Sequence, residues 1–154
     1  MRNQSWSSLA TRFKDYAHTA AVGQFVRQVQ TDLKPLAVIL FGSLARGDYH
    51  QYSDADFCVV LPDPQPSPFV GYDRVVAGDP SGVVQPLVYD AGQFCQMVTE
   101  ANGLALEVMA DGLFLAGDEA FRQEIEALAD QTRQQLGIQC TATGWRILRR
   151  RNRQ

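Results

Sequence analysis

The chain has 154 residues and a net charge of −3; its 45% hydrophobic and 20% charged residues are ordinary for one globular domain. No apolar run approaches the roughly 20 residues of a membrane-spanning helix, and the N-terminus lacks the apolar segment of a signal peptide. Three widely spaced cysteines favour a reducing compartment over a disulfide framework or a zinc site. We therefore expect a cytoplasmic protein with no membrane segment.

Charge is distributed unevenly along the chain. Residues 146–154 carry five arginines and no acid, which leaves nine Lys or Arg against 17 Asp or Glu in the first 145 residues. An acidic body offers no broad basic face to duplex nucleic acid. We predict a single domain over residues 1–144 and a basic tail over residues 145–154 that adds little to the fold. Nucleic acid is expected to bind only through this tail.

The first third of the chain predicts helix and then strand. Apolar residues recur at three- and four-residue spacing over residues 5–33, with Gly23 as the expected break between two helices. Pro35 ends this region. The apolar runs at 36–41 and 55–61 predict two buried strands.

The remainder alternates between loop, strand and helix. Four prolines in residues 62–73 predict a long loop without regular structure. Residues 82–90 predict a third strand, which Pro86 places at a sheet edge or a bulge. Asp90 is the expected cap of the next helix, which ends at Asn102 and Gly103.

The last part of the sequence completes the predicted fold. Residues 104–112 predict a further helical turn or two, and 113–117 a last strand. Asp118 caps an amphipathic helix that ends at Gly137. This order of elements indicates an α+β or α/β fold, with a mixed β-sheet flanked by helices.

The sequence FGSLARGDYHQYSDADFCVV, residues 41–60, carries the strongest functional signal. Gly42 follows the first strand and permits a tight turn with close backbone approach. Ser43 offers a hydroxyl and the expected N-cap of a short helix, whose free N–H groups suit a phosphate. Arg46 lies one turn further and could reach the same anion.

Asp54 and Asp56 begin the second strand. At i and i+2 they face one side of the strand, while Ala55 and Phe57 face the other. Two carboxylates on one face repel each other, and they suit a hard divalent cation; Mg²⁺ is the cation we expect. The alternative is a turn in which both aspartates face water; the apolar residues that follow argue against it.

A Gly-Ser pair, ten residues and then Asp-X-Asp before an apolar strand resembles the signature of the nucleotidyltransferase superfamily related to DNA polymerase β. The resemblance is strongest over residues 38–61. The small size of the chain is similar to that of the minimal nucleotidyltransferases, several of which pair with helical HEPN proteins in toxin–antitoxin systems. The resemblance implies that Gly42 and Ser43 contact a nucleoside triphosphate and that Asp54 and Asp56 bind two Mg²⁺ ions. It also implies attack of an acceptor hydroxyl on the α-phosphate, with pyrophosphate leaving.

The family typically supplies a third carboxylate from a neighbouring strand, and here that position corresponds to Gln85. An amide oxygen can coordinate a metal, but it cannot accept a proton at neutral pH. Asp79, Asp90 and Glu107 are the other candidates. They are expected in a turn, at a helix cap and on a helix surface, so the third acid stays unassigned.

Two classes of function follow from this sequence. One is a metal-dependent nucleotidyltransferase that adds a nucleoside monophosphate to a protein or small-molecule hydroxyl. The other is a weak or inactive nucleotide-binding protein, similar to an antitoxin, that acts through a helical HEPN-type partner. The intact Gly-Ser and Asp pair favour the first class, and Gln85 favours the second. For the enzyme, a partner or a second copy of the chain is expected to complete the acceptor site.

Overall fold

The computed structural model describes residues 1–77, 79, 81–142 and 144–147 of the protein. Within them the strands are β1 (Arg2–Asn3), β2 (Ala37–Phe41), β3 (Ala55–Leu61), β4 (Val84–Asp90), β5 (Leu113–Gly117), β6 (Ile138–Thr141) and β7 (Gly144–Ile147). The helices are α1 (Trp6–Ala10), α2 (Thr19–Leu33), α3 (Gly42–Arg46), α4 (Pro68–Val76), α5 (Ala91–Thr99), α6 (Gly103–Asp111) and α7 (Glu119–Leu136). None of these helices combines the length and the apolar character that crossing a membrane requires.

Five strands form one mixed sheet in the order β1-β5-β2-β3-β4. The central strand β2 runs antiparallel to both neighbours, whereas β4 runs parallel to β3 and β1 runs parallel to β5. Pro86 therefore lies in an edge strand, as its missing N–H requires. The predicted α+β fold, a mixed sheet flanked by helices, is confirmed.

The sheet separates two apolar cores, because alternate residues of its buried strands point to opposite faces. Val38 and Leu40 of β2 pack on one face with the residues of α1 and α2. Ile39 belongs to the other core, which contains buried residues of α5, α6 and α7. Continuous apolar runs in β2 and β3 are what a strand covered on both faces needs.

The break in the N-terminal helical region does not fall at Gly23. Residues 11–18 separate α1 from α2, and Gly23 lies inside α2. A Cβ at Gly23 would lie 2.6 Å from Nε1 of Trp6. Close packing of the Trp6 indole, and not a turn, explains glycine at this position.

The expectation that residues 62–73 lack regular structure is wrong, because α4 begins at Pro68. The oxygen of Ser67 accepts a hydrogen bond from the Val70 N–H at 3.4 Å and caps the helix. Proline is tolerated at the first helical position, where its missing N–H has no intrahelical partner to lose. The other three prolines of this region precede the cap.

A β-hairpin that the sequence did not predict follows α7, so residues 113–117 are not the last strand. Gly137 has φ +61° and ends the helix, and β6 then pairs antiparallel with β7. The Trp145 ring lies 5.3 Å from Cζ of Arg133 on α7. The proposed domain boundary after residue 144 stays a prediction, and residues 148–154 of the basic tail lie outside the described residues.

Candidate active site

Gly42 forms the turn between β2 and α3 and lies against a carboxylate. Its φ is +72°, a left-handed conformation that favours glycine. A Cβ at Gly42 would lie 2.6 Å from Oδ2 of Asp56. Both the backbone conformation and the space beside Asp56 therefore require glycine here.

The expected capping role of Ser43 is wrong. Helix α3 begins one residue earlier, at Gly42, and Phe41 in an extended conformation is its N-cap residue. Ser43 is the second helical residue, and its side chain is half-buried. Ser43 thus lies on the first turn of α3, directly after the Gly42 turn.

Asp54 and Asp56 follow the alternation that the sequence predicts. Ala55 and Phe57 are fully buried in the core that contains α2. Asp54 is exposed and directly precedes β3, while Asp56 is half-buried inside the strand. Both carboxylates accordingly project to the face opposite Ala55 and Phe57.

The negative charge of this carboxylate pair is not neutralised by direct contacts. Burial raises the pKa of Asp56, and the neighbouring charge of Asp54 and then that of Glu107 raise it further, against an opposing effect of Arg46. Among the described residues, neither Asp54 nor Asp56 has a hydrogen-bond or ion-pair partner for its carboxylate. Two adjacent carboxylates with free oxygens match the oxygen ligands that Mg²⁺ prefers, so the residues fit this cation.

Arg46 lies beside the carboxylate pair but bonds to other acids. Its Nε is 3.3 Å from Oδ2 of Asp48, and its Nη1 is 3.1 Å from Oε1 of Glu107 on α6. Its charge still lowers the pKa of Asp56. Since these ion pairs are partly exposed, they are weak enough for an incoming anion to compete with them.

Gln85 is the residue of β4 that lies opposite Asp56 in the parallel β3–β4 ladder. Its side chain is exposed. The structure thus brings Gln85 next to Asp56 in the sheet, and its assignment to the position of the third carboxylate stays a prediction. Within the described part of the chain, His, Cys, Asp and Glu do not form any group of three that could hold a metal ion.

The three acids considered for the third position are engaged elsewhere. Asp79 is buried in the turn before β4, where Oδ2 accepts from the Val84 N–H at 2.8 Å and Oδ1 accepts from the backbone and hydroxyl of Ser81. Asp90 caps α5 in a reciprocal capping box. Glu107 pairs with Arg46. The expected turn and cap are confirmed for Asp79 and Asp90.

Tyr16 borders the site, although no sequence motif indicates this. Its hydroxyl donates a hydrogen bond to the Ser53 carbonyl at 2.8 Å. Burial raises the pKa of Tyr16 to about 12, with additional effects of the charges of Asp54, Asp56 and Asp79. In the sequence Tyr16 is one apolar position of a helical pattern, and 37 residues separate it from its partner.

The family described as "Nucleotidyltransferase domain" matches residues 22–135, well over half of the chain. The chain belongs to this nucleotidyltransferase family. The matched range contains the Gly42 turn, both aspartates and Gln85. No curated protein matches the chain significantly.

Solved structures with a similar fold include proteins of related description. One is from Sulfolobus solfataricus and is provisionally described as a nucleotidyltransferase; it is 23% identical, with a TM-score of 0.48, over 72% of this chain and 86% of that one. Another is a toxin–antitoxin structure with AMP-PNP, 20% identical with a TM-score of 0.47, over 72% and 83% of the two chains. A third is the toxin–antitoxin pair MntA-HepT, 16% identical with a TM-score of 0.44, over 75% and 84%.

Proposed function

We propose that this nucleotidyltransferase-family protein binds a nucleoside triphosphate with Mg²⁺ at the Gly42 turn and the Asp54–Asp56 pair. The observation that carries the proposal is the contact geometry of Gly42 and Asp56. A glycine in a left-handed turn lies so close to a half-buried, unpaired carboxylate that even a methyl group would collide with it. Retaining two repelling carboxylates at this position costs stability, which a bound cation would offset.

The residues would divide the binding between them. Asp54 and Asp56 would hold the Mg²⁺, two ions by the family resemblance, with the amide oxygen of Gln85 as a further ligand. The Ser43 hydroxyl, the backbone at Gly42 and the Arg46 guanidinium would bind the phosphates. Bound Mg²⁺ supplies charge stabilisation for the attacking and leaving oxygens of a phosphoryl transfer.

The proposed reaction transfers a nucleoside monophosphate to a hydroxyl group. The acceptor oxygen forms a bond to the α-phosphorus, the bond from that phosphorus to the bridging oxygen breaks, and pyrophosphate leaves. The acceptor hydroxyl loses its proton to water during this step, because no side-chain base is assigned to it. An aspartate at the position of Gln85 could take that proton, but the amide cannot.

Isothermal titration tests the binding proposal. We expect Mg²⁺–ATP, or another Mg²⁺–nucleoside triphosphate, to bind the wild type and to bind Asp54→Asn at least tenfold more weakly. Asp63→Asn is the matched control, because Asp63 is an exposed loop aspartate that loses the same charge. Equal affinity of the wild type and Asp54→Asn would contradict the proposal, and so would equal weakening by the two substitutions.

A second candidate function is nucleotide binding with little or no transfer. The position of Gln85 opposite Asp56 favours it, because transfer needs a proton acceptor and binding does not. We expect the wild-type chain alone to transfer slowly even when it binds Mg²⁺–ATP well. Single-turnover transfer to water or glycerol, measured beside binding in the same preparation, separates the two functions.

We also propose that a partner supplies the acceptor hydroxyl. The resemblance to minimal nucleotidyltransferases supports a helical HEPN-type protein, and a second copy of this chain is the alternative. Light scattering after size exclusion should show either a dimer of the chain alone or a complex with a coexpressed HEPN-type protein. A monomer that forms no complex would contradict the proposal.

A further inference from the structure

The segment directly before Asp54 is a closed turn. The Ser53 N–H donates to the His50 carbonyl at 3.0 Å, and the His50 N–H donates to Oγ of Ser53 at 2.9 Å. Ser53 is 8% exposed although its neighbours on both sides are exposed. The orientation of Asp54 therefore depends on what holds this turn against the body of the protein.

Two hydrogen bonds attach the turn to the segment between α1 and α2. The Tyr16 hydroxyl donates to the Ser53 carbonyl at 2.8 Å. The Ala17 N–H donates to the Gln51 carbonyl at 3.0 Å. Ser53 and Asp54 share the peptide whose carbonyl Tyr16 binds, so the first of these bonds fixes the plane of that peptide.

The ring of Tyr16 is held firmly by its neighbours. It is 4% exposed and packs edge to face with Phe13 and Tyr49, at centroid distances of 6.3 and 5.7 Å. A phenol is protonated at neutral pH, so the hydroxyl is a hydrogen-bond donor there. A buried donor held in place by its neighbours is suited to fixing a carbonyl in one position.

The segment that carries Tyr16 and Ala17 precedes the part of the chain that matches the nucleotidyltransferase family, which begins at residue 22. We propose that Tyr16 is a positioning residue: by binding the Ser53 carbonyl, its hydroxyl sets the direction in which the Asp54 carboxylate leaves the chain. This inference rests on the proposed function, in which Asp54 is a ligand of Mg²⁺.

The test compares Tyr16→Phe, which removes the hydroxyl and keeps the ring, with the control Tyr49→Phe. Tyr49 belongs to the same aromatic cluster, and within the described residues its hydroxyl has no hydrogen-bond partner. The Mg²⁺ concentration at half-maximal binding of ATP is measured by titration, with far-UV circular dichroism as the check on folding. We expect Tyr16→Phe to raise this concentration about 2- to 12-fold, the range of one hydrogen bond. Tyr49→Phe should leave it unchanged.

Other results would overturn the inference. An unchanged Mg²⁺ midpoint in Tyr16→Phe means that the hydroxyl does not position Asp54. Equal shifts in both variants mean that ring packing, not the hydroxyl, is responsible. A variant that loses active sites at an unchanged midpoint shows a purely structural role.

Amide hydrogen exchange of the metal-free wild type provides a test that needs neither a variant nor a nucleotide. We expect the amides of Ala17 and Ser53 to be protected, and fast exchange of both would overturn the inference. If the wild type fails to bind Mg²⁺–ATP while these amides are protected, the proposed function fails and the contact between Tyr16 and Ser53 stands. If the wild type binds Mg²⁺–ATP but these amides exchange freely, the proposed function stands and the positioning role of Tyr16 fails.

Discussion

Asp56 of β3 and Gln85 of β4 lie directly opposite each other in a parallel ladder at the edge of the sheet. Asp56 is half-buried with a raised pKa, and Gln85 is exposed and neutral. An acid at position 85 would therefore stand next to the carboxylate pair and share any cation bound there. We therefore expect the chain alone to transfer slowly, because a neutral amide adds neither negative charge nor a proton acceptor.

We predict that Gln85→Asp raises nucleotidyl transfer. The substitution adds the charge that retains a second cation and a base for the acceptor hydroxyl, and a general base contributes roughly 10²- to 10⁴-fold to rate. Initial rates with a labelled triphosphate measure the effect. Asp56→Asn should abolish whatever transfer the wild type shows.

Leu87→Asp is the matched control for this gain, since Leu87 is the next exposed residue of β4. It introduces the same charge two residues further along the strand, and we expect no gain in the rate of nucleotidyl transfer. If the wild type already transfers rapidly and Gln85→Asp does not help, position 85 is not the place of the third acid.

Gly42→Ala should abolish triphosphate binding and destabilise the fold more than the same change at Gly82. Both glycines have φ close to +70°, and alanine in that conformation costs about 1–2 kcal/mol. At Gly82 a Cβ meets no atom within 4 Å, whereas at Gly42 it meets Asp56. The difference between the two variants in thermal unfolding therefore isolates the collision with Asp56, and equal losses would contradict that contact.

Much of the fold could be predicted from local pattern. The buried strands β2 and β3 were predictable because each is a continuous apolar run, and α7 because Asp118 and Gly137 mark its ends. The helix α4 does not follow from the rule that prolines break helices. Proline at a first helical position after a capping serine stabilises the start of a helix instead.

The candidate site likewise contains residues that local sequence predicts and contacts that it does not. The Gly42 turn and the Asp pair were predictable because all their residues lie within one short stretch of sequence. For Gln85, local pattern was not enough. The family resemblance suggested its position, and only the register of β3 and β4 shows that it lies beside Asp56. The contact of Tyr16 with Ser53 could not be predicted, since it depends on how a loop folds onto a turn distant in sequence.

Removal of residues 145–154 should lower the thermal midpoint, contrary to the view of this tail as separate from the fold. Cys140 pairs with Trp145 in the β6–β7 hairpin, and the Trp145 ring lies over Arg133. A partly exposed cation–π contact is worth about 0.5–1 kcal/mol. Trp145→Ala should reproduce part of the loss, whereas Trp145→Phe should retain most of the stability. No shift on truncation would show that the hairpin does not support α7.

Asp54→Asn should stabilise the metal-free protein even though it impairs binding. Burial, and then the charge of Asp54, raise the pKa of Asp56, so the folded state holds the Asp56 proton to higher pH than the unfolded state does. Stability of the metal-free wild type therefore falls as pH rises from the ordinary value of 3.8 through the raised value in the folded protein. The advantage of Asp54→Asn should be full at pH 7 and should vanish under acid conditions, where Asp56 is protonated in both proteins.

Differential scanning calorimetry in EDTA measures the thermal midpoints of both proteins. At pH 7 we expect the midpoint of Asp54→Asn to be about 1–3 °C higher, because a partly exposed charge pair contributes at most about 1 kcal/mol. Saturating Mg²⁺–ATP should reverse the order. Ligand binding stabilises the wild type in proportion to the logarithm of the ligand concentration over Kd, and the variant lacks one of the two carboxylates. If Asp54→Asn is less stable than the wild type in EDTA, Asp54 makes a stabilising contact in the fold. That result would contradict the view that repulsion between the two carboxylates costs stability until a cation binds.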